Sequence, residues 1–378
     1  MRERYLRTDW APFVAGLGLS LVGAVLIWSS THEWAGTALA VRHLVNTVVG
    51  VVVGLAVIAL DVRWLRAAAP WVYLAGLSGL VLVLTPVGQT VNGSRSWLFL
   101  PGGFSLQPAE LAKIGLVVGL AMILAEGRDP YRRPGWREVL PAWVLAAVPI
   151  GLIMLQPDLG SGLVLGVLTL VVVATSGASW RWTAAAAAAV CATVVAAIRI
   201  PLLDPYQVDR LLAFRNPGLD PEGIGYQTRQ ARLAIGSGGW SGTGLGEGPQ
   251  TQGGFIPFQY TDFIFTVAGE ELGFVGAVGL LVLLGFLVVR GLVVALRCED
   301  PFGRLLAVGV SSWFGFQIFE NIGMNLGLMP VTGLPLPFLS YGGSSMLACW
   351  VALGLLACAS GRDRATRPSW RPRSNLPR

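Results

Sequence analysis

Gln259–Arg290 reads QYTDFIFTVAGEELGFVGAVGLLVLLGFLVVR. Its head carries Asp262, Glu270 and Glu271, and from Gly273 the run is apolar up to Arg290. An apolar run of that length crosses a bilayer as a helix. Carboxylates at its margin are costly to bury, so each needs a partner or a task. Read as one continuous helix over 263–296, Glu270 lies about 12 Å deeper than Asp262 and is turned about 80° from it, with Glu271 turned nearly 180°. Only Asp262 then faces the outer rim. Glu270 and Glu271 are expected inside the bundle, paired with a buried base or a hydroxyl.

The apolar signal repeats along the chain. Its 378 residues are 54% apolar and 13% charged, about half the ~25% charge of a soluble domain. Apolar runs recur near 11–29, 41–60, 70–86, 108–125, 139–155, 160–176, 182–201, 263–296, 304–328 and 341–360. The reading is an all-α polytopic membrane protein of about ten transmembrane helices. Residues 1–361 form the membrane domain, with one large extracytoplasmic loop at 204–260. Residues 362–378 form a basic, disordered cytoplasmic tail that can touch anionic headgroups. The first run follows Arg2, Arg4 and Arg7 and lacks a small-residue cleavage site, so an uncleaved span is expected.

Arginines fix the orientation. With both termini cytoplasmic, the inner side holds Arg63, Arg66, Arg128, Arg132, Arg133 and Arg137 among many others, and the outer side far fewer. This obeys the positive-inside rule for a multi-pass protein of the bacterial cytoplasmic (inner) membrane. The net charge of +6 thus expresses topology and needs no nucleic-acid partner. The four cysteines are scattered and His32 and His43 are isolated, so neither a disulfide framework nor a transition-metal site is expected. No organic cofactor is expected.

Polar clusters gather at the outer ends of the spans: VNGSRSWL (91–98), QPAELAK (107–113), QPDLGSG (156–162), YTDF (260–263) and GLPLPFLSYGGSS (333–345). Polar groups from many helices on one side describe a site. Glu110 and Lys113 share a helix face, and Lys113 is the chain's single lysine. The pair either lowers the cost of insertion or serves that site. Arg95 is either a solvated loop arginine or a bidentate phosphate ligand. Asp158 either caps a helix or faces the site. The run from Ser340 to Ser345 offers tight backbone and hydroxyls, for close helix packing or for a ligand. The long loop is glycine-rich (GSGGWSGTGLGEG, 236–248) but holds Arg210, Arg215 and several aromatics, as an ordered lid would. Asp262 either caps its helix or acts as general base on a hydroxyl whose reaction partner carries a phosphate leaving group held by nearby bases. That chemistry suits transfer from a lipid-linked phosphosugar.

These motifs, together with RLLAFRNP, GYQTRQARLAIGSGGWSGTGLG, TDFIFTVAGEELG and MNLGLMPVTGLPLPFLSYGGSS, resemble the SEDS family (shape, elongation, division and sporulation), the RodA/FtsW peptidoglycan polymerases. The resemblance covers nearly the whole chain except the basic tail. It implies that Asp262 is catalytic in glycan-strand polymerisation and that the substrate is lipid II, the undecaprenyl-pyrophosphate disaccharide-pentapeptide. It implies a cavity lined by Glu110, Lys113 and the Arg95 region, and a class B penicillin-binding protein as partner alongside other elongation-complex membrane proteins. Asp158 and Ser340 join that expected set. Arg210 and Arg215, or Arg95, with Mg²⁺ or Mn²⁺, would stabilise the leaving pyrophosphate. The GTGLGEG loop and the short termini resemble the elongation branch. Many members read Pro-Glu-x-His-Thr-Asp where this chain has Pro257, Phe258, Gln259, Tyr260, Thr261 and Asp262, so neither that acid nor that histidine serves the chemistry here. A lipid II flippase and a non-catalytic scaffold are the rival readings. A flippase also needs an inner-facing polar cavity, and the short arginine-bearing inner loops disfavour one.

Overall fold

The computed structural model describes residues 8–91, 93–100, 104–125, 134–199 and 223–360. Arg210, Arg215 and the tail at 362–378 lie outside the described residues. Helices α1 (Ala11–Ala35), α2 (Ala38–Ala59) and α3 (Val62–Leu84) lead into strands β1 (Gln89–Val91), β2 (Ser94–Leu100) and β3 (Phe104–Leu106). Helices α4 (Pro108–Ala125), α5 (Trp136–Met154), α6 (Leu159–Thr175) and α7 (Trp180–Arg199) follow. After the long loop's first part come α8 (Ile224–Ser237), α9 (Pro249–Gln252), α10 (Ile264–Glu271), α11 (Gly273–Arg297), α12 (Pro301–Asn325) and α13 (Gly343–Ser360). Among the described residues, eight helices are long and apolar enough to cross a membrane: α1 to α5 and α11 to α13. The shorter, apolar α6 and the alanine-rich α7 complete the ten expected positions.

Local chemistry sets the helix starts. Asp61 accepts from Arg63 N at 3.1 Å and opens α3, eight residues before the expected start at 70. Asp300 accepts from Gly303 N at 3.3 Å and precedes Pro301 at the first turn of α12. Both are N-caps of the usual kind. Burial then sorts the helices into layers. The membrane windows of α4 and α13 are 78% buried and that of α12 is 72%, against 22–33% for α2, α3, α5 and α11. The first group is the centre of the bundle, and the second faces lipid. Close packing relies on absent side chains: a Cβ on Gly54 of α2 would stand 2.7 Å from Trp350 O of α13.

Two features depart from the sequence reading. The stretch 89–106 forms a small antiparallel sheet in the order β1-β2-β3, which places Arg95 on a strand. The expected continuous helix over 263–296 is broken. Helix α10 ends at Glu271 and is too short to span a bilayer. Gly273 has φ +65, a conformation glycine takes at no steric cost. A Cβ at this position would strike the backbone of Ser241 and Gly242. The 204–260 loop is bonded into this break, through Phe274 N to Gly239 O at 2.9 Å and Thr243 N to Glu270 O at 3.0 Å.

Candidate active site

Asp262 stands in a turn immediately before α10, outside any helix. The turn is over-determined. Ser340 Oγ donates to Thr261 O at 2.6 Å and accepts from Leu336 N at 2.7 Å. Tyr341 N donates to Tyr260 O at 3.0 Å. Asn321 Nδ2 and Asn325 Nδ2 donate to Asp262 O at 2.8 and 3.1 Å. Phe258, at the start of the turn, has φ +57, and such a residue persists only where its surroundings hold it.

The half-buried Asp262 lines a cavity of about 210 Å³. Its walls come from the five polar clusters, with Trp97, Gln107, Asp158, Tyr341 and Ser344 facing the same space. Tyr341 continues into an aromatic row through Tyr260 to Trp34, with ring centroids 5.9 and 5.7 Å apart. Burial, then the neighbouring Tyr341 and Asp262, push the Tyr260 phenol above its ordinary pKa. Tyr260 therefore stays a neutral hydroxyl near pH 7.

The other candidates divide into those at the cavity and those behind it. Asp158 does both jobs weighed for it: it caps α6 through Ser161 N at 3.0 Å, and it lines the cavity while accepting from Gln107 Nε2 at 3.3 Å. Ser340 is buried and braces the turn rather than lining the cavity. Arg95 is turned away, donating to Thr85 O at 2.8 Å and Gly88 O at 3.2 Å, so it ties the corner between α3 and β1. Glu110 and Lys113 do not line the cavity either. They form a fully buried pair at 2.8 Å, with Lys113 Nζ also 3.0 Å from Gln317 Oε1 and 4.9 Å from the centre of the Trp313 ring.

Glu270 and Glu271 correct the helical-wheel reading. They do not enter the bundle to meet a base. Glu270 accepts from Gln250 N and Thr251 N at 2.8 Å each and from Thr251 Oγ1 at 2.6 Å. Glu271 accepts from Ser29 Oγ at 2.6 Å and Gly246 N at 3.2 Å. The hydroxyl partners were expected, but the chief role is to pin the 204–260 loop, including α9, to the end of α10 and to α1. Sequence reasoning also passed over Asn321 and Asn325. Their signal was present: amides at 317, 321 and 325 recur every fourth residue along the helix and so share one face.

Among the described residues no three His, Cys, Asp or Glu side chains gather as a metal site. The two cavity carboxylates, Asp158 and Asp262, do fit Mg²⁺ or Mn²⁺, since Mg²⁺ takes one or two carboxylates together with water and substrate phosphate oxygens.

The whole chain has known relatives. The FtsW/RodA/SpoVE family model, described as "Cell cycle protein", matches residues 10–365. A protein of Trichlorobacter lovleyi named "Probable peptidoglycan glycosyltransferase FtsW" is 36% identical over 348 residues, covering 90% of each chain. A like-named protein of Geobacter metallireducens is 35% identical over 379 residues, covering 96% of each. A solved structure described as "Structural coordination of polymerization and crosslinking by a peptidoglycan synthase complex" superposes with TM-score 0.80 at 38% identity, covering 96% of this chain and 99% of that one. The Thermus thermophilus rod shape determining protein RodA superposes with TM-score 0.69 at 34% identity, covering 94% and 97%. With ten helices in the expected places and a polar cavity closed by the TDFIF turn, the chain is a multi-pass membrane protein that belongs to the FtsW/RodA/SpoVE (SEDS) family.

Proposed function

We propose that this protein is a peptidoglycan glycosyltransferase that polymerises lipid II at the outer face of the cytoplasmic membrane, with Asp262 as general base. The observation that carries the reading is the Asp262 carboxylate in a cavity walled by all five polar clusters. In the reaction the acceptor's sugar 4-hydroxyl attacks C1 of the donor sugar. The new C1–O bond forms as the bond to the lipid pyrophosphate breaks. Asp262 takes the hydroxyl proton, and the anomeric centre inverts. Asp158 and Asp262 are the cavity carboxylates that would hold Mg²⁺ or Mn²⁺, and such an ion would supply neutralisation of charge on the leaving group. Arg210 and Arg215 are assigned the same task from the loop side.

The family, the names of the curated relatives and the polar cavity support this reading over a flippase or a scaffold. A scaffold has no use for a braced carboxylate in a cavity. The likeness to a peptidoglycan synthase complex that couples polymerization to crosslinking supports a class B penicillin-binding protein as partner. Assignment to elongation and cell shape rests on the GTGLGEG loop. The relatives named FtsW leave a division role as the competing branch. Both termini are placed in the cytoplasm on the arginine asymmetry. The test is polymerisation of labelled lipid II by the purified full-length protein, alone and with its transpeptidase. Glycan from wild type and little from a folded Asp262→Asn variant is expected. Full activity in that variant sinks the proposal.

A further inference from the structure

Gln317, Asn321 and Asn325 form a ladder of buried amides along α12. A side-chain amide inside a membrane bundle is costly unless its hydrogens find acceptors, so their targets reveal what the helix holds. Gln317 Nε2 donates to Pro335 O at 2.7 Å, while its Oε1 takes Lys113 Nζ at 3.0 Å and Trp313 Nε1 at 2.6 Å. Asn321 Nδ2 donates to Leu334 O at 2.7 Å and to Asp262 O at 2.8 Å. Asn325 donates to Asp262 O at 3.1 Å and to Asn321 O at 2.8 Å, and accepts from Thr266 Oγ1 at 2.5 Å.

Asn321 is the rung that joins the two walls of the cavity. Gly333 and Pro335, on either side of its Leu334 acceptor, line the cavity together with Asp262. A Cβ placed on Gly333 would lie 3.4 Å from Asp262 Oδ2, so the carboxylate rests against that loop. The Thr266 N–H turns to Phe263 O at 2.9 Å, and the Asp262 carbonyl takes the two side-chain amides. The two donors of one amide therefore set the separation of turn and loop.

We infer that Asn321 is a positioning residue for Asp262: by bridging the Asp262 and Leu334 carbonyls it fixes where the general base rests against the Gly333–Pro335 wall. The inference rests on the reading of Asp262 as that base. Asn321 does not line the cavity, so substrate binding is spared when it is changed and the chemical step is not. Nothing in the TDFIF motif announces this residue. It lies fifty-nine positions downstream of Asp262 and meets it only in the fold.

The experiment measures lipid II polymerisation by the full-length protein with its transpeptidase partner, with melting temperature and partner co-purification as controls of folding. Asn321→Leu removes both donors. It is expected to lower kcat about 10–100-fold while KM for lipid II stays within about threefold of wild type. Asn321→Asp, equal in size but presenting acceptors to two carbonyls, is expected to do the same, and it carries the test if the leucine variant does not fold. The decisive arm is the pair with Asp262→Asn. A residue that acts through Asp262 adds nothing once the base is gone, so Asp262→Asn/Asn321→Leu keeps the residual rate of Asp262→Asn. Wild-type kcat in folded Asn321 variants, or a full further loss in the double variant, overturns the inference and leaves the role of Asp262 standing. A wild-type rate for Asp262→Asn removes both.

Discussion

Lys113 gives the most quantitative test of the bundle's interior. Its ammonium is fully buried and 2.8 Å from Glu110 Oε1. Glu110 Oε2 has no hydrogen-bond partner among the described residues, so this carboxylate relies on Lys113 alone. Gln317 is better placed, because its Oε1 keeps Trp313 Nε1 at 2.6 Å when the lysine goes. Lys113→Met fills a similar volume and strands a single charge, for which the expected cost is about 3–5 kcal/mol. That is a large share of a total stability of about 5–15 kcal/mol. The double variant Glu110→Gln/Lys113→Met leaves no stranded charge and is expected to recover most of the loss. Lys113→Arg keeps the charge but forces a planar guanidinium into a space closed by Trp313, at a cost of about 1–3 kcal/mol. It also disturbs Gln317, which holds Pro335 on the cavity wall, so polymerisation falls as well. Thermal unfolding of the purified protein in detergent, with glycan synthesis on the same preparations, reads both effects. Equal stability of the single methionine variant and wild type, or of the single and double variants, refutes the reasoning.

Three further outcomes are expected. Asp262→Asn loses about 10²–10⁴ in polymerisation rate, and Asp262→Glu about a hundredfold through displacement of the carboxylate by ~1 Å; strand length on a gel from labelled lipid II checks both, and long strands from either folded variant count against the general base. Ser241→Cys, on the exposed turn of the outer loop, reacts with an impermeant thiol reagent on whole cells; protection until lysis reverses the orientation. Glu270→Ala leaves Gln250 N, Thr251 N and Thr251 Oγ1 without their acceptor, at about 1–3 kcal/mol for each donor left buried; limited proteolysis within 238–256 accelerates, and an unchanged cleavage rate shows that the clasp contributes nothing.

The bundle was largely legible because lipid imposes a simple rule. Runs of about twenty apolar residues must be helices, and α1, α4, α6 and α13 stand close to where their runs were read. The convergence of polar clusters was legible for a similar reason, since topology alone placed their ends on one side. Directions of individual side chains were not. Arg95 reads from sequence as either a solvated loop arginine or a phosphate ligand, and in the fold two carbonyls at the corner of α3 take its guanidinium instead. Glu110 and Lys113 share a face as their spacing requires, yet that face meets Trp313 and Gln317 rather than the cavity. Spacing fixes which residues on a helix are neighbours, and only packing decides what lies opposite them.

The broken helix after Asp262 shows the same limit from the other side. Period and hydropathy favour one long span, because neither registers a single glycine with φ +65. The break changes the meaning of all three carboxylates. With α10 separated from α11, its eight residues act as a strut with a task at each end. At its start the turn hands the Asp262 carbonyl to the amides of α12 and leaves the carboxylate in the cavity. At its end Glu270 and Glu271 sit at a helix C-terminus, where the dipole disfavours negative charge. They are compensated there by backbone amides and hydroxyls from the outer loop and α1. The glutamates thus fasten the loop to one end of the strut while Asn321 and Ser340 fasten the Asp262 turn at the other. The two ends are joined through the loop itself: Gln259 Nε2 donates to Thr251 O at 2.9 Å and to Ser30 O at 3.0 Å. Releasing Thr251 from Glu270 therefore also loosens the segment that leads into the Asp262 turn, and in Glu270→Ala the rate is expected to fall together with loop protection.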